Sequence, residues 1–251
     1  DAKAAEIDRL EAIYRKLLSD SGVELAQGRA RLLGGGRVAI GSRIVRATRI
    51  LVATGGAPAH DALPGLATAM TSNDVLDMRV LPASLLVVGG GYIAVEFATI
   101  LAGLGAKVSL AFRDTLPLRG FDLDLRQRLA QALTARGIPL AAGVALESLS
   151  NGADGYTLHR ADGSAVQASV ALNATGRRPN TADLGLEVAG VQLDSRGAIA
   201  VDADSRTSAP GIWAIGDVTQ RVNLTPVAIA EGRAFADTEF GRRPTRVDHR
   251  T

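Results

Sequence analysis

The stretch VVGGGYIAVEFA, residues 87–98, constrains the fold more than any other part of this sequence. It sets Gly89, Gly91 and Ala94 at GxGxxA spacing, between a continuous apolar run that predicts a buried strand and a segment with helical periodicity. A second predicted strand, AKVSLAF, follows the helix. This order is typical of a dinucleotide-binding βαβ unit. Gly89 permits the tight turn, Gly91 lets backbone approach a pyrophosphate, and Ala94 keeps the helix close to the strand.

The end of the second predicted strand indicates which dinucleotide is bound. An acidic residue there would accept a hydrogen bond from a ribose 2′-hydroxyl, whereas arginine would pair with a 2′-phosphate. The strand runs into Arg113, and Arg119 follows in the same loop. Asp114 supports the opposite choice, because it would serve an unphosphorylated ribose if it turned inward. We favour NADP(H) over NAD(H).

The remaining chain alternates predicted helices and strands, so we expect an α/β protein. Apolar residues recur at helical spacing in the first segment, and short β-branched runs that follow predict an antiparallel meander ending in ILVATGG. TSNDVLDM predicts a short helix capped by Ser72 or Asn73. Asp162 and Gly163 predict the turn of a hairpin, and LTPVAIAEGRAFADTEFG predicts the last helix.

Composition excludes several classes of function. The formal net charge is only +2 and the basic residues are scattered, which argues against nucleic-acid binding. No apolar run approaches the roughly 18 residues of a membrane span, and no signal-peptide pattern is present, so we expect a cytoplasmic protein without a membrane partner. The chain has no cysteine. We predict that His60, His159 and His249 lie on the surface and that the basic run at residues 241–250 is a solvated tail or linker.

Several stretches together give the sequence a family resemblance. ILVATGG, VVGGGYIAVEFA, LAFRDTLPLRGFD, NATGRRPNT, SAPGIWAIGDV and LTPVAIAEGR occur in this order. They resemble the pyridine nucleotide-disulfide oxidoreductases, most closely the glutathione reductase branch. The resemblance implies a Rossmann-like FAD/NAD(P)-binding fold, with an NADPH domain inserted in a split FAD domain. It also implies electron flow from NADPH to FAD, to a redox disulfide and on to glutathione disulfide, in a homodimeric parent enzyme.

The resemblance also implies roles for individual residues. Tyr92 would gate the nicotinamide pocket, Glu96 would fix the carboxamide, and Asp217 would accept from a ribityl hydroxyl of the flavin. The residues assigned to NADPH are Gly89, Gly91, Tyr92, Ile93, Ala94, Glu96, Arg113, Arg119, Gly176 and Arg177. The residues assigned to FAD are Thr54, Gly55, Gly216, Asp217, Leu224 and Thr225. No catalytic residue and no metal ligand is assigned within the 251 residues of the sequence.

The resemblance predicts three segments. Residues 1–66 would be the trailing part of the FAD domain, 67–180 the NADPH domain, and 181–251 a second FAD-domain segment with the start of a linker. We expect the N-terminal FAD fingerprint, the redox cysteines and the C-terminal interface domain to lie outside the chain. The chain of 251 residues would then bind NADPH but retain little FAD, and it would be inactive by itself. The alternatives are a non-catalytic NADP(H)-binding module and an NAD-linked dihydrolipoamide dehydrogenase relative.

Overall fold

The computed structural model describes residues 2–60 and 62–250, which form two compact units. One unit combines residues 2–55 with residues 179–250, and the other is Gly56–Arg178. The contacts thus divide the chain after Gly55 rather than after residue 66, and after Arg178 rather than after residue 180. The cause is local pairing within the second unit, where the Ala59 amide donates to the Gly176 carbonyl at 3.0 Å. The assignment of the units to FAD and NADPH stays a prediction.

The helices and strands follow one another in mixed α/β order. In chain order they are α1 (Ala2–Asp20), β1 (Ala30–Gly34), β2 (Arg37–Ile40), β3 (Arg43–Arg46), β4 (Ile50–Val52), β5 (Gly56–Pro58), α2 (Ser72–Asp77), β6 (Ser84–Val88), α3 (Tyr92–Gly103), β7 (Lys107–Ala111), α4 (Leu123–Ala135), β8 (Leu140–Ala141), β9 (Leu146–Gly152), β10 (Gly155–Arg160), β11 (Ala165–Ala168), β12 (Val170–Asn173), β13 (Arg177–Pro179), β14 (Ile212–Ala214) and α5 (Thr225–Glu239). Short 3-10 turns occur at Leu66–Thr68 and Gly216–Thr219.

The second unit is built on a parallel sheet of four strands in the order β12-β6-β7-β8. Helices α3 and α4 connect β6 to β7 and β7 to β8, so the predicted βαβ unit is confirmed. The side chains of β6 alternate between two apolar clusters. Leu85 and Val87 pack with α3, whereas Leu86 and Val88 pack with the antiparallel sheet of β9, β10 and β11. Burial on both faces explains why this strand is apolar at every position.

The first unit contains the predicted meander, because β1, β2 and β3 pair antiparallel. Strand β4 lies in a separate parallel pair with β14, with Val52 opposite Ala214. Leu32, Val52 and Ile212 share one apolar cluster in this unit. The pairing brings the end of ILVATGG close to the start of the turn that follows β14.

Helix α1 forms as predicted, but its apolar stripe lies in solvent. None of its described residues is buried. The exposed apolar side chains are Ile7, Leu10, Ile13, Tyr14, Leu17 and Leu18. Helical periodicity therefore predicted the helix correctly without identifying a partner for it.

The cap of α2 differs from the prediction. Thr71, rather than Ser72 or Asn73, precedes the helix, and its backbone amide and hydroxyl both donate to Asp74 Oδ2 at 2.7 Å. These hydrogen bonds, chiefly the one from the hydroxyl, lower the pKa of Asp74. A capping box pairs the cap residue with an acceptor side chain three residues later, and Thr71 and Asp74 have that spacing.

Candidate functional site

A cavity of about 540 Å³ opens in the second unit where the parallel strands end. Its wall follows the carboxyl ends of all four strands of the parallel sheet. The residues that line it are Ala62, Leu63, Gly89, Gly90, Gly91, Phe112, Arg113, Asp114, Leu116, Arg119, Ala145, Leu146 and Thr175. Ligands of open α/β sheets bind at this edge, where the strand order reverses, and this volume is typical of a ligand pocket.

The glycine turn after β6 forms the floor of this cavity. Gly89 has φ +137°, and a Cβ there would lie 2.2 Å from the Ala174 carbonyl oxygen. A Cβ on Gly90 would lie 3.1 Å from the ring of Phe112, whereas one on Gly91 would meet nothing within 4 Å. Gly89 is thus required by the protein's own backbone, and Gly91 leaves open space in front of α3.

The first turn of α3 contains the next group of predicted residues. Ala94 is fully buried in the core beneath the helix. Tyr92 is 51% exposed, Ile93 is half-buried and Glu96 is exposed. None of these four lines the cavity, so the structure groups Gly89 and Gly91 with the cavity and places Tyr92, Ile93 and Glu96 beside it on the helix.

Two arginines and an aspartate share the wall formed by the loop after β7. Arg113 and Arg119 are both exposed, and both line the cavity together with Asp114. The Arg119 Nε atom lies 3.9 Å from Asp114 Oδ2. At that separation, and with the Arg119 side chain 70% exposed, the ion pair is weak, so Arg119 can turn toward an anion in the cavity.

The remaining residues assigned to the nucleotide lie after β12. Gly176 is exposed, and a Cβ there would meet nothing within 4 Å. The Arg177 guanidinium donates a hydrogen bond to the Gly56 carbonyl, which fixes it to backbone of the same unit. Thr175, rather than either of these residues, lines the cavity.

Several cavity residues escaped sequence reasoning. Phe112 immediately follows β7, and Thr175 lies two residues after β12. Leu116 and Ala145 lie in the loops that follow β7 and β8, and Leu146 begins β9. The rule that ligands bind at strand carboxyl ends would have identified these positions, but only once the strand order was known.

In the first unit, the end of β4 is tied to the segment that begins at Pro179. The Thr54 hydroxyl donates to the Asn180 carbonyl at 2.8 Å, and the Asn180 amide donates to the Gly55 carbonyl at 2.9 Å. Gly55 has φ +70°. Thr54 and Gly55 therefore belong to a hydrogen-bonded turn, and the Thr54 hydroxyl is already used as a donor within the protein.

The turn after β14 places Gly216 and Asp217 above a buried carboxylate. Gly216 has φ +70°, and its amide donates to Glu231 Oε2 at 2.6 Å. Glu231 lies on α5 and is only 3% exposed. Its other oxygen lies 2.8 Å from Arg221 Nη2 and 2.7 Å from His249 Nε2. Sequence reasoning missed this cluster, because its members are far apart in the chain.

The basic run at residues 241–250 is not a free tail. The Thr245 amide donates to the Thr238 hydroxyl at 3.0 Å, and the Arg246 Nε donates to Asp204 Oδ1 at 2.6 Å. His249 reaches Glu231 and is half-buried, which corrects the expectation of a surface histidine. The hydrogen bond from Arg246 lowers the pKa of Asp204.

Helix α5 begins at the last two residues assigned to FAD. Leu224 is its N-cap and Thr225 its first residue, and both side chains are exposed. Pro226 occupies the first turn, where its missing N–H costs nothing. The free amides of this turn carry the positive end of the helix dipole.

Neither a membrane helix nor a metal cluster occurs in the part of the chain that the structure describes. None of its helices is long and apolar enough to cross a bilayer. Across residues 2–60 and 62–250, no group of His, Cys, Asp or Glu is arranged to hold a metal ion.

Comparison with known proteins gives consistent results. The family described as pyridine nucleotide-disulphide oxidoreductase matches residues 1–232. Glutathione reductase from Burkholderia cepacia is 46% identical over 99% of this chain and 55% of its own length. Glutathione reductase from a Nostoc species is 41% identical over 98% of this chain and 56% of its own length.

A solved structure supports the same fold. The HOCl-induced flavoprotein disulfide reductase RclA from Escherichia coli matches with a TM-score of 0.89 and 28% identity, covering 96% of this chain and 56% of that one. The chain thus spans about half the length of the relatives it matches. Together with the glycine turn at the strand ends, the matches establish that the chain belongs to the pyridine nucleotide-disulphide oxidoreductase family.

Proposed function

We propose that this chain is the nucleotide-binding portion of a flavoprotein disulfide reductase that uses NADPH. The observation that carries the proposal is the cavity of about 540 Å³. The glycine turn at residues 89–91 lines it together with Arg113 and Arg119. A turn with open amides at a helix N-terminus suits a pyrophosphate, and two guanidinium groups nearby suit a further phosphate. The family to which the chain belongs implies FAD and a pyridine nucleotide.

Different residues of the second unit would bind different parts of the nucleotide. Gly89 forms the tight turn, and its amide already donates to the Ala111 carbonyl at 2.8 Å. Gly91 would let backbone approach the pyrophosphate, and Ala94 holds α3 against the sheet. Ile93 would contribute its amide at the helix start. Arg113 and Arg119 would bind the 2′-phosphate by charge-assisted hydrogen bonds.

The remaining nucleotide assignments concern the nicotinamide end. Tyr92 would cover the ring and Glu96 would accept from the carboxamide, since both are exposed beside the cavity. Gly176 and Arg177 would approach the nucleotide from the segment after β12. Arg177 already donates to Gly56, so its role would be to shape this segment.

The first unit offers groups that fit part of a flavin. The Gly216 amide already donates to Glu231 and is not available to a ligand. The Asp217 carboxylate, the next group in this turn, would accept a hydrogen bond from a ribityl hydroxyl. Thr225 would present its amide at the start of α5 to a developing negative charge. The Leu224 amide already donates to the Val222 carbonyl at 2.9 Å, so Leu224 would fix the backbone at this helix start. Thr54 and Gly55 would contribute backbone.

In the parent enzyme, the residues named above would hold NADPH as a source of hydride and FAD as the group through which a disulfide is reduced. We propose glutathione disulfide as the final substrate of a cytoplasmic homodimer, on the strength of the relatives named glutathione reductase. The 251 residues contain no cysteine, so they do not themselves supply the reducible dithiol.

The test compares NADPH with NADH. A ligand that binds only the folded state raises its melting temperature in proportion to RT ln(1 + [L]/Kd). We expect NADPH to raise it more than NADH at equal concentration, and the double substitution Arg113→Ala with Arg119→Ala to remove the difference. Equal shifts in the unsubstituted chain would refute the proposal.

A second candidate is an NAD-linked relative of dihydrolipoamide dehydrogenase. The observation that favours it is Asp114, which lines the same cavity and would suit a free ribose 2′-hydroxyl. In that case NADH would bind more tightly, and Asp114→Asn would weaken it. A non-catalytic module is distinguished by assaying the full-length parent for NADPH-dependent reduction of glutathione disulfide, which a module would not catalyse.

A further inference from the structure

The loop that connects β7 to α4 carries both arginines assigned to the 2′-phosphate. Arg113 lies at its start and Arg119 near its end, and Leu116 between them also lines the cavity. The positions of two exposed, flexible side chains depend on the backbone from which they extend. Whatever fixes that backbone therefore decides whether both guanidinium groups reach one phosphate.

Arg126 holds the middle of this loop from behind. It lies in the second turn of α4 and is partly buried. Its Nε donates to the Pro117 carbonyl at 2.8 Å, and its Nη2 donates to the Leu116 carbonyl at 2.9 Å. The rigid fork of a guanidinium can satisfy two successive carbonyls in this way, whereas a lysine ammonium lacks that geometry.

The loop is also tied to the glycine turn and to the next strand connection. The Leu118 amide donates to the Gly90 carbonyl at 2.7 Å, and the Gly143 amide donates to the Asp114 carbonyl at 2.9 Å. Leu118 has φ +54°, a conformation that a residue with a Cβ adopts only when its surroundings hold it there. The two carbonyls held by Arg126 belong to the residues immediately before this strained position.

We propose that Arg126 is a positioning residue that sets the preference for NADPH over NADH, by holding the loop so that Arg113 and Arg119 converge. This inference rests on the proposed function. Arg126 does not line the cavity, so it acts through the loop and not by contact with the nucleotide. Arg128 on the same helix is exposed and has the same charge, so it serves as a control for the loss of a positive charge from this helix.

The experiment measures the Kd of NADPH and of NADH for the 251-residue chain by fluorescence titration. Arg126→Met keeps the aliphatic stem and removes the donors, and Arg128→Met is the matched control. We expect Arg126→Met to weaken NADPH binding about tenfold, as a small misplacement of binding groups does, with NADH changed less than about twofold. Arg128→Met should leave both values unchanged.

The conservative variant separates positioning from general destabilisation. Arg126→Lys should recover part of the NADPH preference, because one carbonyl can still be bound, and it decides the question if circular dichroism shows Arg126→Met unfolded. An equal loss for both nucleotides, or no loss in a folded variant, would overturn the inference. A chain that shows no preference before substitution would instead refute the proposed function. Loss of preference in the Arg113→Ala, Arg119→Ala variant but not in the Arg126 variants would refute this inference alone.

Discussion

Two glycine turns follow parallel strands in this molecule, and they are held in shape by different forces. The turn at residues 89–91 is shaped by exclusion, because any Cβ on Gly89 would lie 2.2 Å from the Ala174 carbonyl oxygen. The turn at residues 216–217 is shaped by attraction, because the Gly216 amide is bonded to the buried carboxylate of Glu231 at 2.6 Å. A sequence comparison would treat both as the same strand, glycine and helix pattern.

The difference determines what each turn can bind. The first leaves open space in front of Gly91 at the start of α3, which suits a phosphate. At the second, Glu231 already occupies the Gly216 amide, and a second anion close to that carboxylate would be repelled. The second turn is therefore less suited to a phosphate than the first.

The largest expected effect comes from filling the first turn. Gly89→Ala forces a Cβ into backbone at φ +137°, and we expect a loss of about 4 kcal/mol in the free energy of unfolding, from strain and overpacking together. Urea unfolding followed by circular dichroism measures it.

Gly91→Ala is the matched control for that substitution. It should cost less than about 1 kcal/mol, the difference between Gly and Ala at a helix N-cap, yet weaken NADPH binding. Equal destabilisation by the two substitutions would show that exclusion does not shape the first turn.

Neutralising the carboxylate tests the second turn. Glu231→Gln leaves Arg221 without its buried counter-charge, and we expect a loss of about 3 kcal/mol with faster hydrogen exchange at the Gly216 amide. The exposed Glu187 provides the control, since Glu187→Gln should be nearly neutral. An unchanged Gly216 exchange rate in Glu231→Gln would mean that the turn holds itself without the carboxylate.

A smaller effect should follow from removing the histidine that completes this cluster. His249→Ala deletes a hydrogen bond to Glu231 near the end of the described chain, and we expect a loss of about 1 kcal/mol by urea unfolding. His159→Ala, which affects an exposed contact with Ser150, should change stability by less than about 0.5 kcal/mol. If the two variants were equally stable, the hydrogen bond from His249 to Glu231 would contribute nothing to stability.

The smallest expected effect is an acid dependence in the same segment. The pKa of Asp204 is lowered by its hydrogen bond from Arg246, so its stabilisation is present above the ordinary aspartate pKa of about 3.9 and is lost as pH falls through the lower folded value. Asp204→Asn should therefore lower the free energy of unfolding at pH 7 by less than about 1 kcal/mol, and this difference should shrink as pH falls through the lowered pKa of Asp204. A difference that persisted at low pH would exclude the ion pair as its cause.

The predictability of the two turns follows from where their determinants lie. Strand, turn and helix around Gly89 are encoded within a dozen residues, so local pattern predicted the βαβ unit and its buried strand. The Glu231 cluster joins α5 to Arg221 and His249 through tertiary contacts, and nothing in the spacing of these residues indicates that they meet. Arg126 is similar, since its partners are carbonyl groups, which have no sequence signature.

Helix α1 shows that a local pattern can predict an element without predicting its contacts. Its apolar periodicity predicts a helix, and the helix forms, but periodicity does not specify which surface the stripe covers. The α2 cap shows a finer limit, because Thr71, Ser72 and Asn73 are all good caps and only the bond to Asp74 decides among them.

The central strand β6 has a consequence for how the second unit comes apart. Because Leu85 and Val87 belong to one apolar cluster while Leu86 and Val88 belong to the other, neither layer can melt while leaving the other intact. The unit should behave as a single foldon, with the amides of this strand exchanging only through its complete unfolding. The glycine turn at residues 89–91, which follows β6, would then remain ordered for as long as the whole unit does.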